Sequence, residues 1–250
     1  MARGLGSRLR AGDGQGLTPD QQKIAESGVK ALVPVIGRKT LLDFTIERLI
    51  EAELSEICLV IGPEHDIIRT HCRNMGHMIS FAVQSEAKGT ADAVLAASDF
   101  VGDDDFIAIN SDNLYAVNDL IRLREAGKQG LVAFDRKSLI SESNIPADRI
   151  KAFADVIVDG TNLRKILEKP EVPMEEGFVS MNLWSFGPRI FEACRSIEPS
   201  VRGEYEITAA VNHAITEMSE EFTVITSSHP VLDLSNKSDI SELTELLARI

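Results

Sequence analysis

Residues 57–83 open on Ile57-Cys58-Leu59-Val60-Ile61-Gly62-Pro63 and close on Ile79-Ser80-Phe81-Ala82-Val83. The first five side chains are apolar without alternation, as in a strand buried on both faces, and Gly62-Pro63 ends it. Glu64 to Cys72 has the spacing of a helix, and residues 79–83 supply the next strand. Strand, helix and strand in this order form one crossover unit of a parallel sheet.

Working outward, the rhythm repeats. Upstream, Leu42, Ile46 and Leu49 share one helical face after Thr40. Thr18 caps a short helix with Pro19 at its first position. The polar stretch around it, residues 11–29, is expected to cover a site as a mobile flap. Downstream, a helix is predicted over Thr90–Ser98, a strand over Phe106–Asn110, a helix over Leu114–Arg124 and a strand over Leu131–Phe134. After Asp135 the pattern turns β-rich. Ile150–Val158 and Leu163–Leu167 flank Asp159-Gly160, a hairpin signal, and Phe178–Phe186 reads as another strand. Helices over Glu206–Met218 and Asp239–Ile250 close the chain. A single α/β domain with a mainly parallel sheet and a small β-rich insert follows.

The 250 residues carry 26 Lys and Arg against 39 Asp and Glu, a net charge of −13. That balance argues against nucleic acid, which needs a basic face. It leaves room for a nucleotide site whose few cations sit inside an acidic surface. Three cysteines, Cys58, Cys72 and Cys194, are odd in number and far apart, as in a reduced compartment. No apolar run reaches membrane length and no leader pattern opens the chain, so the expectation is a cytoplasmic protein without a membrane partner.

Several residues are placed to do chemistry. Gly4 and Gly6 allow the backbone to turn against a ligand, Ser7 adds a hydroxyl, and Arg8 offers a charged fork for phosphate oxygens. Ligands collect at the carboxyl ends of parallel strands. Asp112 follows an apolar strand there and either holds a cation or caps a helix. Asp233, after Val231-Leu232, has the same two readings. Glu168-Lys169 places opposite charges on opposite faces of a strand end. Gln84 ends a strand and Gly89-Thr90 opens a helix, a combination suited to a base edge or simply to the surface. His65, His71 and His77 lack metal spacing and read as surface or loop residues.

The order of these pieces resembles the sugar-1-phosphate nucleotidylyltransferases. The resemblance rests on Gly-x-Gly-Ser-Arg, a lysine before apolar Pro-Val, Gln-x(4)-Gly-Thr-Ala, a strand ending in Asp, Glu-Lys-Pro and a late Leu-Asp. Ser111-Asp112-Asn113-Leu114-Tyr115 and Arg202-Gly203-Glu204-Tyr205-Glu206-Ile207-Thr208 look nearest the glucose-1-phosphate thymidylyltransferase branch. The resemblance implies a Rossmann-like three-layer fold with a nucleotide-binding half over 1–135 and a sugar-phosphate-binding half over 136–250. It implies that Gly4, Gly6, Ser7, Gln84, Gly89 and Asp112 contact the nucleotide. Arg8, Lys30 and Lys169 would be the catalytic cations, and Glu168, Lys169 and Asn182 would bind the sugar phosphate. Asp112 and Asp233 would hold Mg2+. The partners implied are an NTP and a sugar-1-phosphate, with room for a homo-oligomer.

Some positions depart from the family pattern. Ala31 follows Lys30 where many members have proline, Ser111 replaces a glycine, and Met181-Asn182-Leu183-Trp184 replaces an Asn-Ala-Gly run. In the family an apolar strand precedes the glycine loop. Only Met1, Ala2 and Arg3 stand before Gly4, so that strand is expected to be truncated. A regulatory subunit that binds nucleotide-sugars is a rival reading. A glycosyltransferase of related fold is another, but Ser111-Asp112-Asn113 lacks the paired acid of an Asp-x-Asp metal motif.

Overall fold

The computed structural model describes residues 6, 9–10, 16–76 and 78–248. The elements follow in chain order: α1 (Pro19–Ser27), β1 (Pro34–Ile36), β2 (Lys39–Thr40), α2 (Leu41–Glu51), β3 (Ile57–Ile61), α3 (Asp66–Met75), β4 (Ile79–Val83), α4 (Thr90–Ala96), α5 (Ser98–Val101), β5 (Phe106–Ala108) and β6 (Asn113–Leu114). The second half comprises α6 (Val117–Glu125), β7 (Gly130–Asp135), α7 (Arg136–Glu142), α8 (Ala147–Ile150), β8 (Ala154–Asp159), β9 (Asn162–Leu167), β10 (Phe178–Phe186), α9 (Ile190–Ser196), α10 (Ile207–Glu217), β11 (Thr223–Ser227), β12 (Leu232–Asp233) and α11 (Ser238–Leu247).

Local chemistry accounts for the helix ends. Thr18 and Gln21 form a reciprocal capping box at α1, Pro19 opens it, and Gly28 at φ 79° closes it. Far from being all flap, α1 is seated on the core by fully buried Ala25. Thr40 and Asp43 repeat the capping box at α2.

The β3–α3–β4 unit is as expected, with β3 and β4 parallel in register from Ile57 opposite Ile79 to Ile61 opposite Val83. The mainly parallel sheet is a correction. The six-stranded sheet runs β5-β10-β7-β11-β9-β8, and within it only β7 and β11 pair in parallel. The strand β10 lies antiparallel between β5 and β7 and also pairs antiparallel with β8. No helix separates β8, β9 and β10, and a parallel neighbour requires a crossover connection. Gly160 at φ 61° makes the turn of the expected β8–β9 hairpin.

Alternate residues of β10 feed two cores. Trp184 and Phe186 join Phe191 and Phe222 beneath α9 and α10. Val179, Met181 and Leu183 join Tyr115, Leu123, Phe134 and Leu139 beneath α6 and α7. Helices on both faces of one sheet make the three layers, and each fully buried large side chain contributes about 1.5–3 kcal/mol. Leu114 does not open a helix as expected. It pairs with Leu232 in the short β6–β12 ladder, which moves the start of the following helix to Val117. The expected first-strand stub falls on residues outside those described.

Candidate active site

Gly6 is the first described residue of the glycine loop, and its φ is +59°. A Cβ there would lie 2.2 Å from the Gly28 carbonyl oxygen, so only glycine permits the approach. Gly28 accepts from the Lys30 N–H at 3.0 Å, and Lys30 heads a single 3-10 turn. From there Lys30 Nζ reaches Asp112 Oδ2 at 2.9 Å. Gly6, Gly28, Lys30 and Asp112 are therefore one cluster. Gly4, Ser7 and Arg8 lie outside the described residues.

The second carboxylate is brought in by the β6–β12 ladder, in which Asp233 stands opposite Asn113. The Leu234 N–H donates to the Asp112 carbonyl at 2.9 Å, fixing the two aspartates side by side. Asp233 is buried and held from both sides. Asn113 Nδ2 donates to Oδ1 at 2.9 Å and Arg149 Nη1 to Oδ2 at 2.7 Å. Asn144 grips its backbone at both N–H and C=O. Burial, together with the charge of Asp112, pushes the Asp233 carboxyl up to about 6, although Ser235, Arg149 and Lys30 pull the other way. Arg149 also forks onto Asp239, with two further bonds of 2.9 Å. Sequence reasoning missed Arg149, Asn113 and Asn144. Arg149 stands 84 residues from Asp233, so no local spacing signals the pair.

Tyr115 extends this cluster to the sugar side of the sequence reading. Its buried hydroxyl donates to the Met181 carbonyl at 2.6 Å, one residue before Asn182. Asn182 has φ 59° and accepts from Trp184 Nε1 at 3.2 Å, at an irregularity in the β10–β7 ladder.

Gln84 and Gly89 touch each other, and the Gln84 amide is turned inward. Its Nε2 donates to the Gly89 carbonyl at 3.0 Å and to Asp92 Oδ2 at 2.8 Å, bracing the end of β4 against α4. Gly89 has φ 117°, and a Cβ there would lie 2.4 Å from the Tyr205 carbonyl oxygen. That carbonyl accepts from Ala91 N–H at 2.9 Å, Tyr205 N–H donates to Lys88 at 2.7 Å, and Ile207 N–H donates to Thr90 Oγ1 at 2.8 Å. The Arg202–Thr208 segment thus lies stitched to the Gly89 loop.

The same segment reaches Glu168. Thr208 Oγ1 donates to Glu168 Oε2 at 3.2 Å, and Arg202 Nη2 lies 3.8 Å from its other oxygen. Arg202 also faces Glu204 at 3.4 Å and bonds Glu206. Burial and the charges of Glu168 and Glu204 raise the Glu206 carboxyl above its ordinary value, against the pull of Arg202. Lys169, exposed at the strand end, has φ 43°.

His65 is a loop residue, as expected, whereas His71 sits half-buried on α3. His65 is buried, and its Nδ1 accepts from the Gly62 N–H at 3.2 Å, closing the turn after β3. His71 pairs with Asp43 at 2.6 Å, and His77 lies outside the described residues. Among the described residues no three His, Cys, Asp or Glu side chains group to hold a metal. No helix there is long and apolar enough to cross a membrane.

Paired carboxylates, a lysine and a glycine-only backbone contact thus meet at the sheet ends of a three-layer α/β domain. The chain belongs to the nucleotidyl transferase family, whose profile matches residues 9–248. It is 33% identical to the low-salt glycan biosynthesis nucleotidyltransferase Agl11 of Haloferax volcanii over 85% of this chain and 57% of that protein. Identity to the UTP–glucose-1-phosphate uridylyltransferase AglF of the same organism is 30%, covering 82% of this chain and 80% of that protein. The chain spans less than two thirds of several curated relatives it matches; one is a Streptomyces griseus glucose-1-phosphate thymidylyltransferase, matched at 30% identity over 99% of this chain and 64% of that protein. The fold is shared with a solved UDP-glucose pyrophosphorylase complexed with UDP-glucose, at a TM-score of 0.73 and 16% identity over 99% of this chain and 96% of that one.

Proposed function

We propose that the protein transfers a nucleotidyl group from an NTP to a sugar-1-phosphate, giving an NDP-sugar and pyrophosphate. The observation that carries this reading is the contact of Lys30 with Asp112 beside buried Asp233, at the point where Gly6 touches Gly28. A phosphate oxygen of the sugar phosphate attacks the α-phosphorus. The bond to the β-phosphate bridging oxygen breaks, and pyrophosphate leaves with that oxygen. The nucleophile is already ionised, so no general base is required. The protein's task is positioning and charge neutralisation.

In this reading Gly4, Gly6 and Ser7 follow the nucleotide phosphates, Arg8 and Lys30 neutralise them, and the Gln84–Gly89 loop lies at the base. Lys169 meets the sugar phosphate, Glu168 the sugar hydroxyls, and Asn182 lines the sugar pocket. Asp112 and Asp233 suit Mg2+, which takes one or two protein carboxylates and completes its shell with phosphate oxygens and water. The raised Asp233 carboxyl supports the fit, because two adjacent carboxylates, one of them buried, favour a cation between them. When bound, Mg2+ withdraws charge from the reacting phosphates. Three free cysteines accord with work in the reducing cytoplasm.

The test is a panel of NTPs against sugar-1-phosphates with Mg2+, reading pyrophosphate release. Turnover with at least one pair is expected. Tight binding of nucleotide-sugars with no release from any pair would instead identify a regulatory binder.

A further inference from the structure

Residues 168–177 join β9 to β10 and begin with Glu168 and Lys169. Both strands pair with β8, which sets Leu167 opposite Asp155 on one side and Val179 opposite it on the other. The joining strap therefore crosses β8 at Asp155. There the Met174 N–H donates to Asp155 Oδ2 at 2.9 Å, and Asp155 Oδ1 accepts from Arg136 Nη2. Arg136 and Asp155 are both buried. The Arg136 N–H holds the strap a second time, donating to the Gly177 carbonyl at 3.0 Å. Arg136 Nη1 donates to the Ile150 carbonyl at 3.0 Å, at the end of α8 and next to Arg149. One guanidinium thus ties the strap of Lys169 to the helix whose Arg149 bonds Asp233.

Stability alone does not account for this pair. Two charges taken out of water lose hydration that their attraction only partly returns, and apolar residues of similar volume often serve as well or better. Arg136 Nε has no hydrogen-bond partner among the described residues, which is a further cost. What the pair supplies and apolar side chains lack is direction, because it fixes the backbone at Ile150 and at Met174. Such fixation has a use at the start of the strap. Lys169 stands at φ 43°, a left-handed conformation that a lysine keeps only where its surroundings impose it. Its side chain is exposed and bonds to no other described residue, so its place is set by the backbone that carries it.

We propose that Arg136 and Asp155 are positioning residues for Lys169, holding the strap so that the Lys169 ammonium meets a phosphate at a fixed distance from the Asp112–Asp233 carboxylates. The assignment rests on the proposed reaction, in which Lys169 binds the sugar phosphate. A nucleophile held in line reacts faster than one that is merely bound. The link from the strap to α8 provides that register.

The test replaces the pair in the whole chain by apolar residues, Arg136→Met together with Asp155→Leu. Three quantities are measured: the melting temperature, cleavage of the strap by a glutamate-specific protease at exposed Glu171 and Glu175, and KM for the sugar-1-phosphate turned over fastest in the NTP panel. The melting temperature is expected to stay within about 5 °C of the parent. Strap cleavage should quicken at least about tenfold. KM for the sugar phosphate should rise about tenfold, with KM for the NTP unchanged. Adding Lys169→Ala to the apolar pair should raise that KM no more than about twofold further, because both changes remove one and the same contact. Asp155→Asn is the second variant, should the apolar pair fail to fold. Its amide presents an acceptor in only one of the two places, so either Arg136 or Met174 loses its partner, and the same pattern is expected at about threefold.

Parent-like cleavage with a parent-like KM overturns the proposal, and so does full additivity with Lys169→Ala. A loosened strap with the parent's KM, in a protein whose Lys169→Ala variant does lose affinity, overturns the positioning role alone. A Lys169→Ala variant with the parent's KM, or a chain that turns over no substrate pair, overturns the reading of Lys169 first and the positioning role with it.

Discussion

The chain holds two acidic neighbourhoods, built in opposite ways. At Asp233 each carboxylate oxygen has a partner from a different element, Asn113 of β6 on one and Arg149 of α8 on the other, and both Asp233 and Asn113 are buried. Around Glu168, three glutamates share one half-exposed arginine, Arg202, on a single loop. The first arrangement fixes charges in one geometry and suits a constant part of a reaction, such as a phosphate with its counter-ion. The second is adjustable and, in the proposed reading, lies at the sugar.

The sharpest break in this comparison is expected at Arg149. Removing one partner of a buried ion pair strands the other, so Arg149→Ala should destabilise the fold by about 3–5 kcal/mol. Chemical denaturation measures this. A loss below about 1 kcal/mol would make the Asp233 neighbourhood as loose as the glutamate one.

Next in size is Asp112→Asn. If the reaction is the proposed one, turnover should fall about a hundredfold or more at saturating substrates and Mg2+. The melting temperature should move no more than about 3 °C, because Asp112 is only half-buried and its ion pair with Lys30 is a modest one. Near-normal turnover would remove Asp112 from the site.

Lys169→Ala should raise KM for the sugar phosphate about tenfold, the worth of one charge-assisted hydrogen bond, with KM for the NTP unchanged. Steady-state kinetics with each substrate varied decides this. Equal shifts in both KM values would dissolve the division between the neighbourhoods.

The smallest effect concerns pH. The Glu206 carboxyl stands above its ordinary value of 4.5, so the fold binds its proton more tightly than the unfolded chain does. Its destabilising contribution is full above the folded pKa and vanishes as pH falls toward 4.5. Arg202→Gln removes the group that opposes this shift. The variant should therefore lose more stability than the parent between pH 5 and pH 8, by about 1–2 °C in melting temperature. A variant with the parent's pH slope would show that Arg202 does not set the charge of the glutamate cluster.

Legibility in the sequence follows the range of the interactions. The β3–β4 pair is written in the unbroken apolar run of β3 and the largely apolar run of β4, and the β8–β9 turn is written in Asp159-Gly160. The strand Phe178–Phe186 appears with the very bounds expected of it. The direction of β10 and the strand at Leu114 are not local properties, because each depends on a partner distant in the chain. The same divide runs through the site. Lys30 and the two aspartates are legible as charges at the ends of apolar runs. Arg149 is one arginine among many until the fold carries it to Asp233. A further buried pair, Arg136 with Asp155, escapes for the same reason.

Gly89 has one more consequence, for inheritance and engineering. Its backbone lies so close to Tyr205 that neither segment can shift without the other. Recombination that exchanged only the Gln84–Ala91 stretch with a relative would pair a foreign loop with a resident Tyr205 and misfit by a few tenths of an ångström or more. The two segments, more than a hundred residues apart in the gene, must travel together as one heritable module.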